Sequence, residues 1–262
     1  MLSALGRPLL GLLDYLGELC LLTGKIIESL LRGKKRGNLI VNQIVEIGFS
    51  SQPVVIITGA FVGAVLAAQG LFQLSDLKME SMGGALVSVS MLRELGPSLT
   101  GIMLAGRVGA SMSAEIGTMK VTEQVDALRS MSVHPIDYLV TPRLIAMVVS
   151  VPLLITEAVA FGIGASWLVG TQAFGVPEAW WTHHTVNHTD LSDIYISLIK
   201  GFTFGILIVI ISCHQGLNAS HGAVGVGKGT TRAMVFSSLA ILIFNFFLTM
   251  LMNIIFPIGL VS

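Results

Sequence analysis

Residues 53–74 contain no charged side chain. About 20 apolar residues are enough for a helix to cross a hydrocarbon core. Four further stretches, about 82–109, 143–171, 194–213 and 233–258, are similarly apolar with isolated polar interruptions. In lipid the backbone has no water to bond, so spans of this length must satisfy their own N–H and C=O groups as helices. Only 11% of the 262 residues are charged, against about 25% in soluble domains. The expectation is an all-α integral membrane protein with five transmembrane helices. Zero formal net charge gives no general attraction to nucleic acid, and no nucleic-acid partner is expected.

The segment before the first span, residues 1–36, has a different character. Leu9, Leu12, Leu13, Leu16, Leu19 and Leu22 recur at three- and four-residue spacing, interrupted by Asp14, Glu18, Lys25 and Glu28. That pattern fits an amphipathic helix, lying either in the membrane interface or on the protein's own cytoplasmic face. It has no continuous apolar core and so is not a cleavable signal. The basic run Arg32-Gly-Lys34-Lys35-Arg36 then marks the cytoplasmic side. Lys78 is the one clear exterior cation, and 172–193, with Trp180-Trp181 as an interfacial aromatic anchor, has no Lys or Arg. The distribution predicts a cytoplasmic N-terminus and an exterior C-terminus. Cys20 and Cys213 make no disulfide framework and are expected as free thiols.

Between the second and third spans lies a polar island, EIGTMKVTEQVDALRSMSVHPID, residues 115–137. The spacing predicts one amphipathic helix over 115–134. Glu115 would sit in its first turn, where an acid suits the helix dipole. Glu123 and Asp126 would share a face, and Pro135 would stop the run. In so apolar a chain, this is the piece a soluble partner can grip.

Polar groups inside the spans are few and expensive. Arg93 and Glu94 fall near mid-depth of the second span, Glu157 in the third, Lys200 in the fourth and Asn245 in the fifth. Pro97 cannot donate to the Arg93 carbonyl, which predicts a kink. Glu94 reads either as a functional group or as half of a structural ion pair, and Lys200 as a side chain that snorkels to the outer interface. Gly59-x-x-x-Gly63 and the ladder Gly162, Ser166, Gly170 offer flat faces for close helix contact.

Three motifs fail on inspection. Gly222-A-V-G-V-Gly227-Lys228-Gly229 imitates a phosphate-binding loop, but Gly229 replaces the magnesium-binding hydroxyl and no strand precedes it. It is expected as a flexible turn within a cytoplasmic loop, 214–232. His183, His184 and His188 lack a well-spaced further ligand, so no metal is expected. Asn187-His-Thr189 is a weak glycosylation sequon. No nucleophile elbow or paired-carboxylate site is present, so a hydrolase finds no support.

Four stretches carry a resemblance: MLRELGP (91–97), AGRVGASMSAEIGTMKVTEQVDAL (105–128), VHPIDYLVTPR (133–143) and VGVGKGTTRAMV (224–235). Over about residues 35–258 the chain resembles the MlaE/YrbE permeases, membrane subunits of bacterial phospholipid-trafficking ABC transporters associated with MCE proteins, with relatives in the chloroplast envelope. The resemblance implies an N-terminal interfacial helix plus a permease domain over 37–262, in which 115–134 is a cytoplasmic coupling helix. It implies a homodimer, two ATP-binding subunits docked below, a hexameric MCE-domain ring on the periplasmic side, and in some systems a STAS-domain subunit. The chain itself would hold no cofactor, ATP and magnesium being bound by the partner ATPase. The location implied is the bacterial inner membrane, with an inner-membrane-to-MCE lipid exchange that maintains outer-membrane asymmetry. The resemblance puts ATPase coupling on Glu115, Gly117, Thr118, Met119, Thr122, Glu123, Gln124, Asp126, Ala127 and Leu128. It puts lipid binding on Leu66, Gly70, Gln73, Leu74, Leu77, Glu94 and Asn245, with Arg93, Glu94, Glu157 and Lys200 as intramembrane charged groups. Asn245 departs from the acid expected there, which leaves the partner of Lys200 to Glu94 or Glu157. The competing readings are a gradient-driven transporter and a membrane scaffold without its own cycle.

Overall fold

A computed structural model describes residues 2–32, 37–220 and 222–256, with side chains from Leu10 onward, Leu12 excepted. Lys34, Lys35 and Arg36 of the basic run, the side chains of Leu9 and Leu12, and the last residues of the expected fifth span lie outside the described residues. Among those described, the regular secondary structure is helical, without strands. The elements are α1 (Leu2–Arg32), α2 (Gly37–Asp76), α3 (83–121), α4 (Gln124–Ser130), α5 (Ile136–Ala173), α6 (Glu178–Asn187), α7 (Leu191–Leu217) and α8 (Gly222–Ile255). Four of them, α2, α5, α7 and α8, are long and apolar enough to cross a membrane. The α3 helix is as long, but Arg93 and Glu94 within it lower its apolar character.

The helices overrun their expected ends because nothing in the sequence stops them at the hydrocarbon boundary. The largest change is at 214–232, expected as a loop: α7 continues to Leu217 and α8 begins at Gly222, leaving four residues between them. The glycines there fall within the two helices. Gly222 opens α8 at φ +81°, and Gly225 lies against Ser220 where a Cβ would collide.

The chain divides into two compact units. The first comprises 1–43, 105–146 and 206–237; the second comprises 44–104, 147–205 and 238–262. In the first, α1 buries Leu22, Ile26 and Ser29, one face at four- and three-residue spacing. Ser29 bonds Thr141 at 2.6 Å. Glu18 meets His214 at 2.8 Å, and Gln215 donates to the Tyr15 hydroxyl at 3.2 Å. The other edge of α1 leaves Leu10, Leu13, Leu16, Leu21 and Leu31 exposed. One face of this helix thus packs on the protein and the other is an uncovered apolar stripe.

In the second unit the small-residue faces meet as their spacing predicts. A Cβ at Gly59 would strike the backbone of Ala158, and one at Gly63 the backbone of Gly162. Here α2 and α5 touch main chain to main chain, the geometry that small-xxx-small faces allow. Gly170, the last rung of the ladder, receives the ring of Trp181 from α6, which also packs on Gly83. Trp181 is 1% exposed and therefore is no interfacial anchor; only Trp180 is free to serve as one.

Candidate functional site

Four of the five polar residues picked out in the spans, Arg93, Glu94, Lys200 and Asn245, converge in the second unit. Its centre is the wide turn Met91–Leu95 of α3, where Gly96 N–H bonds the Met91 carbonyl five residues back. Two residues beyond Leu95, Pro97 has no N–H, so the Arg93 carbonyl loses its helical donor. Lys200 Nζ, from α7, donates to that carbonyl. It also reaches Glu94 Oε1 at 2.9 Å and Thr249 of α8 at 2.8 Å. Lys200 is completely buried, which corrects the snorkelling expectation. An apolar interior tolerates the ammonium only because each donor has an acceptor.

Glu94 gathers the other half. Its Oε1 accepts from Lys200 and from Thr249 at 2.7 Å, and its Oε2 accepts from Asn245 Nδ2 at 2.8 Å. The side chain remains 38% exposed, so one side stays open. Arg93 turns to Asp193, in the first turn of α7, as a buried hydrogen-bonded ion pair, and reaches Asn253 Oδ1 at 3.3 Å. Two cations thus meet two carboxylates. The choice left by the sequence is settled: Glu94 is the partner of Lys200. Glu157 has no partner among the described residues and does not join the network.

Sequence reasoning missed Asp193, Thr249 and Asn253, although a signal was available. Asn245, Thr249 and Asn253 stand four apart, a polar stripe on one face of α8. Asp193 and Lys200 are seven apart, again one helical face.

The proposed lipid residues of α2, and Leu77 just after it, divide. Leu66 lines an apolar groove of about 370 Å³ with Phe61, Val62, Val65, Gln69 and Leu95, the residue after Glu94. Gly70 instead is buried against Leu86, where a Cβ would press on that side chain. Within this chain it is a packing position. Gln73 and Leu77 are exposed and Leu74 half-buried, outside the groove.

The polar island, in the first unit, is not one helix. Glu115 lies inside α3, not in a first turn, and its carboxylate pairs with the buried Arg143 at 2.7 Å. Gly117, Thr118 and Met119 continue α3, which ends at Val121. Thr122 follows with its hydroxyl turned back on the Thr118 carbonyl, the local competition that unsettles a helix end. Glu123 then takes a left-handed conformation at φ 62°. Gln124, Asp126, Ala127 and Leu128 form the short α4, so Glu123 caps the helix that holds Asp126 and shares no face with it. Ser132 is a second left-handed residue, and Pro135 opens the next helix, as its fixed φ suits. The exposed Asp126 carboxylate accepts from Lys120 at 3.1 Å and from Arg129 at 2.9 Å. These hydrogen bonds, that from Lys120 foremost, hold it below the ordinary aspartate range.

The phosphate-loop imitation is helical and cannot wrap its N–H groups around an anion. Among the described residues, no group of three His, Cys, Asp or Glu side chains could hold a metal. His183 instead bonds Asn187 at 3.0 Å.

Comparison with known proteins bears on the same residues. The family model described as "Permease MlaE" matches residues 40–251. A probable ABC transporter permease protein of Rickettsia bellii is 41% identical over 247 residues, 94% of this chain and 95% of the relative. The intermembrane phospholipid transport system permease protein MlaE of Haemophilus influenzae is 35% identical over 256 residues, covering 96% and 97%. The chloroplastic protein TRIGALACTOSYLDIACYLGLYCEROL 1 of Arabidopsis thaliana is 34% identical over 229 residues, covering 87% of this chain and 65% of that protein.

Proposed function

The chain belongs to the MlaE permease family, and from that premise we propose that two copies form the membrane core of a transporter that moves phospholipid between the inner membrane and a periplasmic MCE-domain ring, maintaining outer-membrane lipid asymmetry. As an ABC transporter permease it is a transport subunit; ATP hydrolysis belongs to two partner subunits, and a STAS-domain subunit is an optional addition. The observation that carries the lipid reading is the half-open Glu94, held by Lys200, Thr249 and Asn245, next in sequence to Leu95 in the wall of an apolar groove. A phospholipid has the same division, a polar head on apolar tails. The exposed stripe of α1 suits the cytoplasmic membrane surface, and α4 with its flanking turns suits the ATPase.

In this mechanism ATP binding draws the ATPases together and pushes α4. Because Glu115 joins α3 to Arg143 of α5, displacement of the island moves the ends of two helices together, a rigid-element switch. The test is reconstitution of the whole transporter in vesicles containing fluorescent phospholipid. ATP-dependent transfer to the MCE protein is expected, and Glu94→Ala should abolish it. Transfer that persists without the ATPase and follows a proton gradient would overturn the reading in favour of a gradient-driven carrier.

A further inference from the structure

We propose that the open side of Glu94 selects phospholipids whose headgroup donates N–H hydrogen bonds, a primary ammonium above all, over lipids that lack such donors or carry a net negative charge. The inference rests on the reading that lipid reaches this site, and adds which headgroup the site takes. Donors and acceptors in the network do not balance. An ammonium has three N–H groups, and Lys200 spends them on the Arg93 carbonyl, Glu94 Oε1 and Thr249. The Arg93 guanidinium is turned to Asp193 and Asn253. Glu94 is the reverse case. A carboxylate has room for about four hydrogen bonds, and Oε1 receives two but Oε2 one, from Asn245. The other end of that amide, Asn245 Oδ1, is buried without a donor among the described residues.

Exposure has the same sign. The side chains of Lys200, Asp193 and Arg93 are 0%, 2% and 10% exposed, against 38% for Glu94. Both cations are therefore turned inward, and the charge offered to a ligand is negative. A primary ammonium brings N–H donors and a positive charge to these acceptors, and hydrogen bonds to a charged group are the strong ones. A trimethylammonium brings the same charge and no N–H. A glycerol headgroup brings hydroxyl donors, but its lipid is a net anion that the carboxylate repels, more strongly here than in water. The three headgroups thus separate donation from charge.

The test exchanges the whole transporter against vesicles of phosphatidylethanolamine, phosphatidylcholine and phosphatidylglycerol in equal parts. The transporter is then purified and its retained lipids are counted by mass spectrometry. Phosphatidylethanolamine should be enriched over each of the others by roughly tenfold, about what one hydrogen bond to a charged group contributes. Glu94→Gln, which keeps an acceptor but not the charge, should bring the retained lipids close to the supplied proportions. That substitution also disturbs Lys200, so a second measurement leaves the protein unchanged. Phosphatidylethanolamine bearing one or two N-methyl groups replaces the parent lipid, and retention should fall with each N–H lost. Equal retention of phosphatidylethanolamine and phosphatidylcholine, with no step along the methyl series, means that charge alone governs and overturns the proposal. Enrichment of phosphatidylglycerol, or equal retention of all three, overturns it as well. If ATP-dependent transfer of all three lipids proceeds at one rate without selective retention, the headgroup preference alone is wrong. If no lipid is retained or transferred, the lipid reading itself falls.

Discussion

Lys200 Nζ donates to the carbonyl oxygen of Arg93, the one acceptor in α3 that Pro97 strips of its helical donor. A helix-breaking residue and a buried ammonium, each unfavourable alone, cancel each other's deficit. The proline frees a carbonyl at mid-depth, and the lysine, which must find acceptors in an apolar interior, takes it together with Glu94.

That pairing gives a first prediction. Lys200→Met keeps the volume but leaves the Arg93 carbonyl and the Glu94 carboxylate without their donor. Removing one partner of a buried pair costs about 3 kcal/mol or more, so the purified variant should unfold at a markedly lower temperature. Adding Glu94→Gln removes the orphaned charge and should restore part of the loss. Additive losses in the double variant would show that the two residues do not interact, as would be seen in a thermal-unfolding series in detergent.

The contact between α2 and α5 gives the second. Gly63→Val places two methyl groups where the Gly162 backbone now stands. Overpacking of this kind costs about 1–3 kcal/mol, and here the obstacle is main chain, which cannot swing aside. Gly164→Val, with open space around it, should fold normally. Comparing the monodisperse yield of the two variants checks the prediction.

Much of this was legible in the sequence. The apolar runs marked the helices, and the spacing Gly59-x-x-x-Gly63 marked a close helix contact. Pro97 marked an orphaned carbonyl. What failed did so for local reasons. Helical periodicity in 115–134 is real, but it cannot reveal that Thr122 turns back on α3 or that Glu123 goes left-handed, because both depend on where the chain must next go. The glycines of 222–229 read as a loop because glycine's helix propensity is low. In place they fall within α8, where close packing at Gly225 leaves no room for a side chain. The polar stripe Asn245, Thr249, Asn253 was visible as periodicity and gained meaning only once Glu94 and Arg93 were found opposite it.

A third prediction concerns pH. Asp126 is held below its ordinary value of 3.8 chiefly by the hydrogen bond from Lys120, with further help from Arg129. A carboxylate with a depressed folded-state pKa stabilises its surroundings above the ordinary value, and the contribution disappears as pH falls through the lower, folded-state value. The α4 segment should therefore keep its protease resistance through pH 5 and lose this part only below the ordinary aspartate range. Because the group is exposed, added salt should weaken the effect at neutral pH. Asp126→Asn should show acid-like protease sensitivity already at pH 7, read as the cleavage rate between Lys120 and Arg129. A cleavage rate identical to the parent at pH 7 would mean the carboxylate does not hold the segment.

The last prediction separates the folding of the island from its use. Glu123 caps α4 through its backbone, and its side chain makes no hydrogen bond or ion pair among the described residues. Charge reversal there should leave the permease folded, with little change in unfolding temperature, since isolated surface charges contribute little. Glu123→Lys combined with Asp126→Lys replaces two acids by two cations on the surface proposed to meet the ATPase. The second of these substitutions also turns the attraction of Lys120 and Arg129 for Asp126 into repulsion. In the reconstituted transporter the double variant should still bind lipid while ATP turnover no longer responds to it. The readouts are ATPase rate with and without phospholipid, and transfer to the MCE protein. If lipid still stimulates turnover and transfer continues at the parent rate, the island does not carry the push, and the role falls to another part of the first unit. The single Glu123→Lys variant distinguishes local damage from lost coupling: it disturbs no ion pair among the described residues, so any loss of stimulation it causes arises at the partner's surface.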